Sequence, residues 1–128
     1  MIVAGIGCRR GVTAAAIEAV LGAALARAGL GKDALSLLAT AAAKSQEAGI
    51  ATVASALGVP LVCLSRSALE DAGERTATRS ARVLALAGVP SIAEAAALAA
   101  AGKDARLLLP RIALGGATCA LATSGAGP

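Results

Sequence analysis

This chain has no phenylalanine, tyrosine, tryptophan or histidine, one methionine and three cysteines in 128 residues. Without aromatics there is no platform on which an unpaired base could stack, which speaks against single-stranded nucleic-acid binding. Without histidine or a Cys-x-x-Cys spacing, no zinc or haem ligand set is expected, and no other cofactor is implied. The commonest general base is missing as well. Cys8, Cys63 and Cys119 are odd in number and far apart, as expected of free thiols in a reducing compartment. Long uncharged runs are also lacking. Charge or proline, such as Glu18, Arg27, Pro90 and Glu94, interrupts every apolar stretch within about 18 residues, too soon for a membrane span. Glycine and arginine follow Ile6 where the apolar centre of a signal peptide would continue, so a cytoplasmic chain is expected.

What is present is mostly small and aliphatic. Hydrophobic residues make up 57% of the sequence, so the core must be assembled from Ala, Leu, Val and Ile. The length suits one domain over residues 1–128, with 124–128 read as a frayed tail. The net charge of +4 is scattered, and Arg9-Arg10 is the one adjacent basic pair. That pattern suits a small acidic ligand better than a nucleic-acid surface.

Residues 1–13 organise the rest. Ile2, Val3, Ala4 and Ile6 read as a short buried strand, and Gly5, Gly7 and Gly11 as freeing the backbone for a sharp turn and a close approach. A helical pattern follows from Thr13, Ile17 and Glu18. A strand, a glycine turn and a helix N-terminus together favour an anion, because the first helical amides lack partners and the dipole attracts negative charge. Arg9 and Arg10 add two forked donors suited to carboxylate or phosphate. Cys8, read as lying beside a helix start and two arginines, is expected to have a lowered pKa. The dinucleotide fingerprint G-x-G-x-x-G fails by one position, since Arg10 stands where the third glycine belongs. No acid ends the second strand, and Gly11-Val12-Thr13 is not the Gly-Lys-Ser/Thr of a P-loop.

Downstream, strands and helices alternate. The pattern predicts a helix over 11–28, a strand over 34–39 ending before Thr40, and a loop over 40–48 carrying Lys44 and Glu47. A helix to Leu57 then stops at Gly58 and Pro60, and a strand over 61–64, read as buried, carries Cys63. Ser67 with Glu70, and Ser91 with Glu94, each read as a capping box opening a helix. The charged stretch 70–82 is expected on the surface, with a helix over about 78–87 and another ending at Gly102. Strands over 106–109 and 118–123 close the chain, joined across Arg111 and Gly115-Gly116. This alternation implies a three-layer α/β/α sandwich, Rossmann-like, with a mostly parallel or mixed sheet of about five strands. In such sheets ligands sit beyond the carboxyl ends of the strands, here the loops 8–11, 40–47 and 65–67.

The motif Gly5-Ile6-Gly7-Cys8-Arg9-Arg10-Gly11-Val12-Thr13 resembles the opening of the CobE/CbiG C-terminal domain family of cobalamin (vitamin B12) biosynthesis. The resemblance continues through Lys44-x-x-Glu47 with Gly49, Leu57-Gly-Val-Pro-Leu61, and Gly88-Val-Pro-Ser-Ile-Ala-Glu-Ala-Ala-Ala-Leu98, and ends at the Thr118 strand. It implies a small α/β/α domain working on corrin-ring intermediates. In that family the domain stands alone or is fused behind a domain associated with opening a ring lactone and releasing acetaldehyde. The family pattern has lysine near Arg111; arginine keeps the charge but alters the donor geometry.

Motif and resemblance together nominate Gly7, Cys8, Arg9, Arg10, Gly11, Thr13, Lys44, Glu47, Ser91 and Glu94 as ligand-binding residues, with Cys8, Glu47 and Glu94 the candidates for any catalysis. Ser91 and Glu94 are equally explained by a capping box, and Thr118 by its strand. The function favoured is a binding or accessory protein that holds an anionic precorrin through its acetate and propionate groups. That role leaves room for another cobalamin-biosynthesis enzyme as partner, with neither nucleic acid nor membrane. The alternatives are a lactone hydrolase releasing acetaldehyde and a Rossmann-like nucleotide-binding domain.

Overall fold

The first strand, β1 (Ile2–Cys8), alternates between two faces, and that alternation sets the layers. The computed structural model describes residues 1–44, 47–73, 92–102 and 104–124. Ala4 and Ile6 join one buried cluster with Ile17, Leu21 and Leu25 of α1 (Ala14–Arg27) and Ile50 and Val53 of α2 (Ala48–Leu57). Val3 joins the other, with Leu69 and Ala72 of α3 (Arg66–Gly73) and Ala95, Ala96, Ala97 and Leu98 of α4 (Ile92–Ala101). Between the helical layers, β1 lies at the centre of a sheet. On one side are β2 (Leu37–Ala41) and then β3 (Leu61–Leu64), both parallel to it. On the other is β5 (Ala117–Thr123), antiparallel to β1, with β4 (Arg106–Leu114) at the edge beyond it. The fold is therefore the expected three-layer α/β sandwich on a mixed five-stranded sheet. No helix among the described residues is long and apolar enough to cross a membrane.

Gly5 and Gly7 correct the reading of the opening stretch, because both lie inside β1 and not in a turn. They share the face of Val3, under α4. A Cβ at Gly5 would fall on the carbonyl oxygen of Ala93 and 2.7 Å from the amide nitrogen of Ala97. At Gly7 it would meet the Thr118 hydroxyl at 2.6 Å. The close approach is thus by the protein's own helix. Alanines along α4 allow the same closeness from the other side, which is how a core without aromatics stays filled.

Several boundaries move for identifiable reasons. The α1 helix starts at Ala14, because the Thr13 hydroxyl caps it by accepting the Ala16 N–H at 3.1 Å. A single 3₁₀ turn over Lys32–Ala34 delays β2, which then continues through Thr40 to Ala41. Thr40 is tolerated there, fully buried, because its hydroxyl donates to the Ile6 carbonyl at 2.8 Å. The cap of α3 is Ser65, not Ser67. Its side chain accepts the Ala68 N–H at 3.2 Å, while Glu70 pairs with Arg66 at 3.1 Å. The strand β4 runs on to Leu114 through Pro110 and Arg111, with two register shifts against β5. An edge strand accepts proline and bulges because its outer side has no partner to lose. The predicted helix over 78–87, most of the charged stretch and tail residues 125–128 lie outside the described residues.

Candidate functional site

Where β1 ends, Arg9 to Val12 make a β-turn, with the Val12 N–H donated to the Arg9 carbonyl at 3.3 Å. The turn is tied to its neighbours on both sides. The Arg9 N–H donates to the Gly116 carbonyl at 3.1 Å, and the Gly11 N–H to a carboxylate oxygen of Glu47 at 2.9 Å. Glu47 stands at the N-cap position of α2, so the loops after β1 and β2 do meet, as the topology required. These bonds take up part of the amide set expected to hold an anion. The amides of Arg9, Gly11, Val12 and Ala16 are engaged by the chain itself, Gly11 by an internal carboxylate.

That leaves the guanidinium groups as the prominent donors. Arg9 and Arg10 are exposed and, with Gly11, Val12, Thr13, Ala16 and Gly115, line an open cleft of about 340 Å³. Among the described residues the loops after β2 and β3 do not line it. Its second wall is the β4–β5 hairpin, brought there because Cys8 pairs with Ala117 across the sheet. The sequence reading gives Gly115 and Gly116 only as a connection between strands. The signal was available, since Gly-Gly between two strands marks a two-residue hairpin, and both residues take positive φ, 64° and 88°. What no local pattern could reveal is which turn the hairpin would lie against.

The remaining nominated residues divide. Lys44 sits half-buried in a 3₁₀ turn over Ala42–Lys44, its charge within reach of Cys8. Thr13 is the α1 cap, and Gly7 is buried, its carbonyl accepting the Thr118 hydroxyl at 3.3 Å. Ser91, and with it the capping box it was to form, lies outside the described residues. Glu94 is fully buried, and its carboxylate accepts the Arg111 N–H at 3.0 Å, at the register shift of β4. It therefore joins α4 to the irregular edge strand, away from the cleft.

The cysteines overturn two expectations. Cys8 ends a strand and is five residues short of the α1 cap, so the helix does not activate it. Burial pushes its thiol above the ordinary value of 9.0; the charge of Lys44 opposes the rise and that of Glu47 adds to it. Cys63, expected in a buried strand, is exposed on edge strand β3. Cys119 is buried in β5, and its thiol is pushed up to about 12.

Comparison with known proteins bears on this geometry. A family described as "Cobalamin synthesis G C-terminus" matches residues 2–122. The protein CobE of Sinorhizobium sp. is 36% identical over 121 residues, covering 94% of this chain and 79% of that protein. The crystal structure of CobE, a protein from the cobalamin (vitamin B12) biosynthetic pathway, superimposes with a TM-score of 0.86 at 37% identity. That match covers 95% of this chain and 89% of the other. The cobalamin biosynthesis protein chiG of Agrobacterium tumefaciens matches at 42% identity and TM-score 0.78, over 98% and 99% of the two chains. A cobalamin biosynthesis protein G homolog from Sulfolobus solfataricus shares the fold at 22% identity and TM-score 0.72, over 98% of this chain and 37% of that one. With the match running almost end to end, the chain belongs to the cobalamin synthesis G C-terminal family, and it is a cobalamin biosynthesis protein.

Proposed function

We propose that the protein binds an anionic corrin-ring intermediate edge-on, by its peripheral acetate and propionate groups, in the cleft bearing Arg9 and Arg10. The observation that carries this reading is the pair of adjacent, exposed arginines lining an open cleft between a helix start and a hairpin. Guanidinium forks match carboxylates in geometry as well as charge. At about 340 Å³ the cleft is at the small end for ligand pockets, which suits a carboxylate arm and leaves the ring outside. The lack of aromatic side chains agrees, since none is present to stack on the flat of a macrocycle.

The hydrolase alternative finds less support. Of its three candidate groups, Glu94 is buried on the Arg111 amide, Glu47 is engaged by Gly11, and the Cys8 thiol is held protonated by burial. None of the three is among the described lining residues of the cleft. A nucleotide reading keeps the two motif failures against it.

The test is a titration with a corrinoid bearing free peripheral carboxylates and with its fully esterified counterpart. The acid should bind with an affinity that falls as salt rises, because exposed charge contacts are screened. The ester, ATP and dinucleotides should neither bind nor compete. Arg10→Ala should cost about 1–2 kcal/mol, roughly five- to thirtyfold in Kd, allowing for its exposure. Arg10→Lys should recover only part, and Tm should stay near that of the native chain. Equal binding of acid and ester would refute the arginine reading.

A further inference from the structure

We infer that Gly116, at the tip of the β4–β5 hairpin, is a positioning residue for Arg9, holding its guanidinium at the rim of the cleft ready for an anion. The inference rests on the ligand reading proposed above and concerns how that site is preset. A long, exposed arginine ordinarily samples many rotamers, and each must be given up when a ligand is held. Arg9 has less freedom than its exposure suggests. Its own amide is fastened to the Gly116 carbonyl, and its side chain turns back over the same residue. From the point where a Gly116 Cβ would stand, Nη2 is 2.9 Å, Nε 3.0 Å and Cζ 3.4 Å away. The guanidinium therefore lies against the bare backbone of the hairpin, in space that any side chain at 116 would take.

The neighbouring glycine separates this role from the needs of the turn. Gly115 has the same left-handed backbone, yet a Cβ there would meet only the Ala16 Cβ, at an ordinary 3.5 Å. If the hairpin alone set the requirement, the two positions would pay a similar conformational penalty, and asparagine would relieve it at both. Only at position 116 does the missing side chain also make room for Arg9. The pairing of Cys8 with Ala117 fixes the distance between turn and hairpin, so the bare backbone of Gly116 is held beside Arg9.

The experiment compares Gly115→Ala, Gly116→Ala and Gly116→Asn, with and without Arg9→Ala. The first readout needs no ligand: the Nε–H resonance of Arg9, identified by its loss in Arg9→Ala. Both Gly116 variants should shift it, and Gly115→Ala should leave it in place although its backbone strain is alike. The second readout is Kd for a corrinoid with free carboxylates. Gly116→Ala should weaken binding about as much as Arg9→Ala, on the order of five- to tenfold, and should add nothing once Arg9 is gone. Gly116→Asn keeps the turn and protects the comparison if the alanine variant folds poorly. An unmoved Arg9 resonance in both Gly116 variants would overturn the inference. So would a loss of affinity that is the same with and without Arg9. A shifted resonance in a protein that binds no corrinoid would uphold the positioning contact and refute the ligand reading instead.

Discussion

Gly5→Ala is the sharpest single perturbation of this fold, because it sets the strand reading of Gly5 against the turn reading that the motif invites. The added methyl would stand on the Ala93 carbonyl oxygen, 3.0 Å from its carbon and 2.7 Å from the Ala97 nitrogen. All three are backbone atoms, so no side chain can swing aside and α4 must lift from β1. Lifting disturbs a helix whose Ala93, Ala95, Ala96, Ala97 and Leu98 are at most 1% exposed, and it draws the Glu94 carboxylate away from the Arg111 amide. Overpacking of this kind costs about 1–3 kcal/mol, and backbone contact on both sides puts this case at the upper end. Strengthening of the buried Glu94–Arg111 bond cannot compensate; its loss would add about 1 kcal/mol or more. Relief of glycine's backbone entropy returns about 0.5–1 kcal/mol. The net loss is about 3 kcal/mol, or a fall in Tm of roughly 9–15 °C for a domain of this size. With neither Trp nor Tyr to report by fluorescence, unfolding should be followed by far-UV circular dichroism. Gly22→Ala is the control. It lies inside α1 with nothing within 4 Å of an added Cβ, and should raise stability by about 0.5–1 kcal/mol. A Gly5→Ala protein that melts within a degree or two of the native chain while losing its ligand would refute the packing argument and restore the turn.

The thiols should alkylate in the order Cys63, Cys8, Cys119, as read by mass spectrometry of the native protein. Exposure favours the first, and burial keeps Cys8 protonated to higher pH; a Cys8 faster than Cys63 at neutral pH would show that the turn does stabilise a thiolate. Cys119 gives an alkaline signature. Its thiol rises from 9.0 to about 12 on folding, so its stabilising effect is complete below pH 9 and is withdrawn as pH climbs toward 12, by about 1.4 kcal/mol per unit. Denaturant melts of Cys119→Ala should show that much less slope over the same interval. Glu94→Gln keeps an acceptor for the Arg111 amide and should cost less than Glu94→Ala, which leaves the amide unpaired beside a cavity, at about 2–4 kcal/mol. Equal losses in urea melts would mean that the bond to Arg111 contributes little.

Much of this protein follows from local pattern. Apolar runs of strand length, the Ile17, Leu21 and Leu25 stripe, and the stops at Gly58 with Pro60 and at Gly102 each depend on residues a few positions apart. Those were legible, and with them the layered α/β fold; the motif order through Thr118 carried the family. Tertiary structure decided what depends on partners far along the chain. Gly5 and Gly7 look alike as turn residues or as strand residues until a helix some 90 positions later is laid on them. Glu94 satisfies a capping pattern in sequence, and no local pattern shows that its carboxylate also accepts from the edge strand, at Arg111. Cys8 and Cys63 exchange their expected environments because burial is set by sheet position, with β1 at the centre and β3 at the edge. The cleft took shape only when β5 turned antiparallel beside β1 and brought Gly115 and Gly116 against Arg9. Propensity and periodicity act over one or two turns of chain, whereas strand order and helix seating are settled by the burial of whole faces, which no short stretch of residues encodes by itself.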